Sequence, residues 1–486
     1  MNNNPPAKPG ANGGSTTTNV TYSGATTISE SITKSGESYT SSQANQNAVL
    51  VSGGTVSLTN FTLTKTGSTS GGDSADFYGT NAGILTYNDA NLTISGAKIS
   101  TEAEHANAVF AYGNSSITIS DSTIETKSNT SGGIMVTGGG KLTATNLTVT
   151  TAGNSSAPIR SDRGGGTMTV TGGTYTANGV GSPAIYSTAD ITVNNATLNS
   201  TASEGVVIEG KNSVKLNGVT LTDTNNQLNG QSETYKNIFI YQSMSGDASE
   251  GTGNFEAKDS TITTNKGDSF FITNTTATIK LENCSFTNND TTGVFLRAQA
   301  SKWGTSGSNG GKVTLSASHQ DIFGNVVVDK VSSVSMSLTN SYYEGAITGE
   351  GKKSLILSED SFFVLTGDTV LDSLSNPVSD NSNIYANGFT LTVAGAKVAV
   401  NEGTAPEDAK KGSSEEKTEE KPAETITTED TSQTNGGPSW VPFVVIGAAS
   451  AALIAAAVIA VIAVRKKKRA KTTPPSTPSA PIAPQM

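Results

Sequence analysis

The sequence has little of three things: cysteine, histidine and charge. One cysteine, Cys284, among 486 residues excludes an internal disulfide framework. The 31 lysines and arginines are outnumbered by 41 acidic residues, so the chain lacks the basic excess that a nucleic-acid partner requires. Charged residues make up only 15% of the chain, which is unlike a disordered protein, and the composition is also poor in helix-forming residues.

What the sequence has instead is a short phrase of alternating apolar and small polar residues that recurs along the chain. SITISDSTIET at 116–126 follows NLTISGAKIST by 25 residues and precedes KLTATNLTVTT by 25. Such alternation is typical of a strand with one buried face. The second residue of each copy forms an apolar column: Val56, Leu92, Ile117, Leu142, Met168, Ile191, Val214, Phe255, Ile279, Val313, Val334 and Leu355.

A more apolar phrase precedes most copies, as in AVFAYGN and GIMVTGG. Each unit therefore contains three short strands separated by turns, where Gly and Asn tolerate a left-handed backbone. This is the content of one coil of a parallel β-helix. Hairpins of a β-sandwich would instead show two-residue turns at intervals of about 8–12 residues. We predict an all-β fold, a parallel β-helix of about 12 coils over residues 19–402 with terminal caps.

The repeat resembles right-handed β-helix proteins of the pectin-lyase-like class. More narrowly, IRSDRGGGTMTVTGGTYTANGVGSPAIYSTADI, IYQSMSGDASEG and WGTSGSNGG are similar to segments of uncharacterised adhesin-like surface proteins of gut bacteria. The resemblance covers roughly residues 20–400 and implies the fold. It implies a function only weakly, because such folds host lyases, hydrolases and adhesins.

The segments outside the repeat predict a surface protein held at the cell membrane. Residues 1–18 are predicted to form a flexible leader, and the charged residues 403–439 are predicted to form an acidic disordered stalk. An uncharged run within 440–464 is long enough for one transmembrane helix, and the basic cluster that opens the tail 465–486 keeps that tail inside. The N-terminus then lies outside the cell. Because the leader is not a signal peptide, we expect the native start to lie upstream or a signal to have been removed.

No catalytic or metal-binding pattern accompanies the repeat. His105 and His319 stand in unrelated contexts, and no paired aspartates, zinc spacing or phosphate loop occurs. Arg160, Asp162 and Arg163 carry too few acids for a calcium site, which takes six to eight oxygens. We therefore predict no catalytic residues, no metal and no cofactor.

A ligand site is predicted where long loops leave the coils. Loops at 243–253 and 299–311 follow the first strand of a coil, as does RSDRGGG, and these corners should form a shallow cleft. Further long loops at 67–79 and 224–236 follow the third strand. Trp303 suits stacking on a sugar. Arginine pairs with carboxylates or sulfates, and the predicted ligand-binding residues are Arg160, Asp162, Arg163, Arg297 and Trp303. Alternatively, Arg160, Asp162 and Arg163 form a salt-bridge ladder that holds a corner, and Trp303 fills a gap.

The third residue of each first strand forms another apolar column, which periodicity cannot assign to a face. We expect the preceding turn to direct this column inward; if exposed, it would be a partner surface. Its members are Leu50, Leu85, Phe110, Met135, Arg160, Tyr186, Ile208, Ile240, Ile272, Leu296 and Val328.

Together these observations predict an adhesin-like, membrane-anchored β-helix on a bacterial cell surface that binds glycans or a surface protein. The alternative is a carbohydrate-active enzyme resembling polysaccharide lyases. Ice binding is disfavoured, because threonines in stretches such as TLTKT do not keep one column.

Overall fold

A computed structural model describes residues 20–230 and 233–410. Within these ranges nearly all regular structure is β, and the helices are the four-residue α-helix Asp73–Asp76 and the 3-10 turn Glu407–Ala409. No helix of the described residues is long and apolar enough to cross a membrane. The predicted leader at 1–18, most of the stalk, the transmembrane segment 440–464 and the tail 465–486 lie outside the described residues.

Three long parallel sheets contain most of the strands, and each strand pairs with the third strand before it and the third after it. This order is that of a three-sided β-solenoid, in which the chain adds one strand to each sheet per coil. The first sheet has 13 strands, the second 14 and the third 10.

The strands of the first sheet are Gly24–Ile28, Asn47–Val51, Ile84–Thr86, Val109–Tyr112, Ile134–Thr137, Ile159–Ser161, Ile185–Ser187, Val206–Glu209, Lys236–Tyr241, Asp268–Thr273, Leu296–Ala298, Val326–Val328 and Ile347–Thr348. Those of the second sheet are Ile32–Ser35, Thr55–Thr59, Asn91–Ser95, Ser116–Ser120, Gly140–Thr145, Gly166–Thr171, Asp190–Asn194, Ser213–Asn217, Thr252–Lys258, Thr275–Glu282, Gly311–Ser318, Ser333–Thr339, Lys352–Leu357 and Ser373–Ser375.

The strands of the third sheet are Ser38–Ser41, Thr62–Lys65, Lys98–Thr101, Thr123–Thr126, Thr148–Thr151, Thr174–Ala177, Thr197–Ser200, Thr220–Asp223, Thr261–Thr264 and Ser285–Asn288. Two small sheets complete the described chain. One is parallel and contains Asp321–Phe323, Tyr342–Gly345, Phe362–Leu365 and Ile384–Tyr385; the other contains Thr369–Leu371, Leu391–Val393 and Ala396–Lys397, the last pair antiparallel.

The alternation in the recurring phrase places apolar residues inside and small polar residues outside. In Ser116–Ser120, Ile117 and Ile119 are buried, whereas Thr118 is exposed to solvent. Thr123–Thr126 alternates in the same way, with Ile124 buried. Each coil thus contributes a few aliphatic side chains to one narrow core that runs along the described coils. Cys284 packs against this core, and burial raises the pKa of its thiol to about 11.

The corner between the second and third sheets has a left-handed residue in coil after coil, as the Gly and Asn turns predict. Asn146, for example, has φ 53° and its neighbour in the next coil, Gly172, has φ 67°. Asn, Asp and Gly occupy most of these positions because they tolerate this conformation best. The column is Gly36, Asn60, Gly96, Asp121, Asn146, Gly172, Asn195, Gly218, Asp259 and Asn283, and it continues through His319 and Asn340, which precede strands of the small parallel sheet. His319 is therefore a corner residue.

The predicted apolar column of the second sheet is confirmed for most of its length. Its members pair in register from Val56 through Leu92, Ile117, Leu142, Met168, Ile191, Val214 and Phe255 to Ile279.

The prediction was wrong at two positions of this column. Ile279 pairs with Leu315, which pairs with Met336, whereas Val313 and Val334 lie two residues away in the register. The column returns to the predicted residue at its end, Leu355, which pairs with Met336. A slip of two residues keeps the same side chains on the inner face, so the apolar pattern alone cannot detect it.

The first part of the predicted apolar column of the first sheet, from Leu50 to Tyr186, points away from the core, contrary to our expectation. Leu50, Leu85 and Phe110 form a cluster separate from the main core, whereas Val49 and Val51 belong to the main core. Successive residues of a strand face opposite sides of a sheet, so the column lies on the outer face. It is nevertheless buried, because long loops cover it.

After Tyr186, the residues on the outer face are no longer those that the sequence predicted for this column. Tyr186 pairs with Val207, and the column continues through Phe239, Phe271 and Arg297. The predicted members beyond Tyr186 are inner residues of the main core: Ile208, Ile240, Ile272, Leu296 and Val328. The outer face of the first sheet therefore carries an apolar stripe interrupted by Arg160 and Arg297.

Candidate functional site

The first cover of the outer face is the segment that follows the strand Thr62–Lys65 and contains the short helix Asp73–Asp76. Ala82 packs into the cluster of Leu85 and Phe110, so this segment closes the N-terminal part of the stripe. Thr137 donates a hydrogen bond from Oγ1 to the carbonyl oxygen of Phe77 at 2.7 Å. The short helix therefore lies beside the coil that contains Thr137. The strand that directly follows the helix in sequence, Ile84–Thr86, belongs to a coil two positions earlier in the stack.

The second cover consists of two loop segments, at 224–230 and 299–310, that meet over the stripe further along the sheet. Trp303 packs against Tyr241, with ring centroids 5.4 Å apart, and Tyr241 stacks on Phe239 at 4.4 Å. Lys302 donates a hydrogen bond from Nζ to the carbonyl oxygen of Gly230 at 2.8 Å, which joins the two loops.

A cleft of about 330 Å³ lies between the two covers. Its volume is at the lower end of the range for small-molecule sites, about 300–1,000 Å³. The first cover contributes Asp76 and Phe77, and the second contributes Asn229 and Trp303. The other lining residues come from the first sheet and its corners: Ser155, Ala157, Arg160, Asp162, Gly181, Pro183, Tyr186, Tyr241 and Asp247.

A smaller pocket of about 70 Å³ adjoins the cleft, with which it shares Tyr186, Tyr241 and Trp303. Phe239 and Glu204 also line it. We call it the aromatic pocket, since four of its lining side chains are aromatic rings. Its remaining lining residues are Gly181, Pro183, Val207 and Asn229.

Arg160 and Asp162 form an ion pair on the floor of the cleft. Arg160 Nη2 donates to Asp162 Oδ2 at 3.1 Å, and Nη1 donates to the carbonyl oxygen of Ser155 at 3.1 Å. Burial raises the pKa of Asp162 to about 6; the Arg160 charge opposes this rise, and the nearby carboxylate of Asp247 adds to it. Asp162 therefore takes up a proton in weakly acidic solution.

Arg163 joins the first cover to the loop that carries Asp247. Its Nη1 donates to Asp73 Oδ2 at 2.8 Å, and its Nη2 donates to Asp247 Oδ1 at 2.8 Å. The guanidinium also lies 4.0 Å from the centre of the Phe77 ring. Arg163 thus supports one wall of the cleft without lining it.

Replacing Arg163 with glutamine is expected to loosen this wall. Limited proteolysis should then cleave the 67–82 segment several-fold faster than in the wild type. The reason is that this segment can open locally without breaking the contacts of Arg163 to Asp73 and Asp247. The free energy of unfolding should fall by about 1 kcal/mol or less, since the arginine is partly exposed. Lys127→Gln, which removes an exposed ion pair to Glu102 on the third sheet, is the control. Equal cleavage rates in both variants would contradict the proposed role of Arg163.

A buried carboxylate lies behind the aromatic rings. Glu209 Oε2 accepts hydrogen bonds from the hydroxyl groups of Tyr186 at 2.6 Å and Tyr241 at 3.0 Å, and Oε1 accepts one from Ser243. Burial and the adjacent carboxylate raise the pKa of both tyrosines well above the usual value, so the phenols stay neutral donors. The network fixes the orientation of both rings.

A second buried pair supports the aromatic pocket from the other side. Lys236 Nζ lies 3.1 Å from Glu204 Oε1 and 4.4 Å from the centre of the Phe239 ring. Ser203 donates from its hydroxyl to the other oxygen of Glu204 at 2.6 Å. Burial lowers the pKa of Lys236, and the Glu204 carboxylate opposes this effect.

The structure brings three of the five predicted site residues to the cleft: Arg160, Asp162 and Trp303. Arg163 stands behind the wall. Arg297 does not line the cleft; its guanidinium binds Asp268 through Nε at 2.6 Å and Nη2 at 3.2 Å. Of the alternative salt-bridge ladder, the pair Arg160–Asp162 is present, whereas Arg163 pairs with Asp73 and Asp247.

Sequence reasoning missed the tyrosines, Phe77, Glu204 and Glu209. The signal for Tyr186 was present, because it belongs to the apolar column that we expected to turn inward. Glu204 and Glu209 gave no signal, since a carboxylate beside a strand ordinarily faces solvent.

Fold and site together define a parallel β-solenoid with a lateral cleft roofed by loops. No group of three or more metal-ligating side chains occurs within the described ranges. Comparisons with protein-family models, with curated proteins and with solved structures found no match.

Proposed function

We propose that this protein is an adhesin-like surface protein that binds a glycan in the cleft between the two covers. The observation that carries the proposal is the cleft itself, an open concavity on a rigid sheet with Trp303, Tyr186 and Phe77 at its walls. Aromatic rings bind the apolar faces of sugars, and hydrogen-bonded charged groups beside them orient hydroxyl groups.

The rigidity of the support favours a binding role. Each strand of the first sheet is paired on both sides in the region of the cleft, and the first cover is held by Thr137 and Arg163. A site held in this way is organised before the ligand arrives, so little ordering entropy opposes binding.

We also propose that the cleft is displayed outside a bacterial cell. The uncharged stretch from Val441 to Val464, followed by Arg465, Lys466 and Lys467, supports a membrane anchor with the repeat on the outer side. The acidic, proline-containing segment before it supports a stalk that holds the solenoid away from the membrane.

Replacing Trp303 with alanine is expected to weaken glycan binding about tenfold or more, because the ring forms a wall of both cavities. The measurement is a glycan array probed with the full chain in mild detergent, followed by titration with the best ligand. Phe323→Ala, which removes an exposed ring away from the cleft, is the matched control.

Undiminished binding by the Trp303 variant would remove the cleft as the site. Binding of no glycan by the wild-type chain would remove the glycan-binding function. The alternative, an enzyme resembling polysaccharide lyases, predicts unsaturated products when the protein is incubated with acidic polysaccharides, and their ultraviolet absorbance tests it directly.

A further inference from the structure

The charges around the cleft restrict the glycans that it can accept. Arginines suggest an acidic ligand, but each predicted arginine already has a carboxylate partner. Arg160 binds Asp162, Arg163 binds both Asp73 and Asp247, and Arg297 binds Asp268 outside the cleft. A carboxylate or sulfate on the ligand would have to displace one of these partners.

Acidic side chains outnumber basic ones in and immediately behind the cleft. Asp76, Asp162, Asp247 and Glu204 line the two cavities, and Arg160 is the one cationic side chain among the lining residues that the structure describes. The second layer adds two carboxylates and three cations. These are Asp73, Glu209, Arg163, Lys236 and Lys302. Six carboxylates thus face four cationic groups, and His105 contacts Asp76 at 2.7 Å. In weakly acidic solution Asp162 takes up a proton, which leaves five carboxylates.

The excess negative charge acts at short range because much of it is buried. Glu209 is 1% exposed and Glu204 is 6% exposed. Charges in a partly desolvated site are screened less than charges on an open surface. A cation that enters is therefore attracted, and an anion is repelled.

The aromatic pocket has the form that an ammonium group requires. Tyr186, Tyr241 and Trp303 enclose a volume of about 70 Å³, close to twice the share of one water molecule in the liquid, about 30 Å³. Aromatic ring faces attract cations, and Tyr and Trp are the preferred partners. Both tyrosines donate their hydroxyl protons to Glu209, which increases the electron density of the rings.

The protein already uses these elements for cations of its own. Lys236 Nζ lies over Phe239 at 4.4 Å, and the Arg163 guanidinium lies over Phe77 at 4.0 Å. The aromatic pocket likewise brings the rings of Tyr186, Tyr241 and Trp303 together, with the Glu209 carboxylate behind the two tyrosines.

We propose that the cleft selects a glycan with a free, protonated amino group. The sugar ring lies in the cleft between the covers, and the ammonium group enters the aromatic pocket near the buried Glu209 carboxylate, whose hydrogen-bond donors are the neutral hydroxyl groups of Tyr186, Tyr241 and Ser243. This inference rests on the proposed glycan-binding function and adds the chemical class of the sugar, a cationic amino sugar in place of a neutral or acidic one.

The test compares three oligosaccharides of equal length that differ in charge. The full chain in mild detergent is titrated by calorimetry, in weakly acidic buffer, with a glucosamine tetramer, an N-acetylglucosamine tetramer and a galacturonate tetramer. The glucosamine tetramer is expected to bind about tenfold more tightly than the N-acetylated one and more tightly still than the acidic one. Tetramethylammonium chloride, which carries no sugar, probes the aromatic pocket alone through the fluorescence of Trp303, with Trp303→Phe as the reference for Trp440.

The outcomes separate this inference from the proposed function. Equal binding of the amino and N-acetylated tetramers, or tightest binding of the galacturonate tetramer, overturns the charge selection but keeps glycan binding. Response to tetramethylammonium without binding of any tetramer keeps the cation pocket and overturns the glycan function. Response to none of the four probes overturns both.

A charge-removing variant tests the source of the selection. Asp76→Asn at the rim of the cleft should weaken binding of the glucosamine tetramer about threefold more than binding of the N-acetylated tetramer. Glu125→Gln makes the same change in charge on the exposed face of the third sheet and should alter neither. An equal loss for both tetramers in the Asp76 variant would assign its effect to structure and would contradict the selection by charge.

Discussion

Replacing Asp223 with asparagine is expected to raise the free energy of unfolding by about 4 kcal/mol at pH 7. Asp223 ends a strand of the third sheet, faces inward and is fully buried. Neither carboxylate oxygen makes a hydrogen bond of good geometry, and the backbone amides of Asn225 and Asn265 compensate only in part. Burial therefore raises the pKa of Asp223 to about 8.

The sign of the pH dependence follows from this shift. Between the ordinary value of 3.8 and the folded value of about 8, the folded protein holds a proton that the unfolded chain has released. Stability is thus greatest below the ordinary pKa of Asp223 and is lost as the pH rises through about 8. The side chain of the asparagine variant is neutral at every pH. The difference in free energy of unfolding between the variant and the wild type should therefore be near zero at pH 3 and largest at pH 9.

Urea denaturation at pH 3, 7 and 9 measures this difference. The neighbours of Asp223 in its column, Ser200 and Thr264, are neutral, so the column accepts an uncharged polar group. Asp121→Asn, at an exposed corner where other coils carry asparagine, is the control and should show no comparable gain. An advantage of Asp223→Asn that stays constant across the pH range would show that charge burial is not its cause.

The Gly153→Ala variant is expected to lose about 3 kcal/mol or more of unfolding free energy. Gly153 lies at the corner where the chain passes from the third sheet to the first. A Cβ there would lie 1.9 Å from the carbonyl oxygen of Ser128 in the preceding coil. The next coil repeats the contact, because a Cβ on Gly179 would lie 1.8 Å from the carbonyl oxygen of Gly153.

The cost is large because the obstacle is backbone. A flexible side chain could rotate away, whereas moving Ser128 would break the pairing of adjacent coils. Gly230→Ala is the matched control, since no atom lies within 4 Å of its added Cβ. Thermal and urea unfolding of both variants provides the measurement. If Gly153→Ala were as stable as Gly230→Ala, the close approach of coils at this corner would be wrong.

Much of the solenoid could be predicted from local pattern. The alternation around Ile117 and Ile119 assigns the inner face, because side chains of a strand alternate between two sides. The turn residues Asn146 and Gly172 mark the corner, because few residues accept a left-handed backbone. At Val313 and Val334 the predicted register was wrong by two residues. The apolar alternation fits the predicted and the observed register equally well, and only the observed pairing of Leu315 with Met336 distinguishes the two registers.

The candidate site depends on contacts between segments that are distant in sequence, so the sequence pattern predicted only some of its residues. Trp303 was identified because it stands in a Gly- and Ser-rich loop. Its partner Tyr241 and the carboxylate of Glu209 were not identified, because each belongs to a different coil.

The amino-acid sequence by itself determined the parallel solenoid, its inner face and its corners, because these follow from the alternation and turn preferences of each short segment. Only the tertiary structure decided that the apolar column of Leu85 and Phe110 faces outward, and that loops fold back over it. It also decided that Arg163 is neutralised by Asp73 and Asp247. Loop positions and charge pairs arise from the stacking of coils that are far apart in sequence, and no single repeat contains that information.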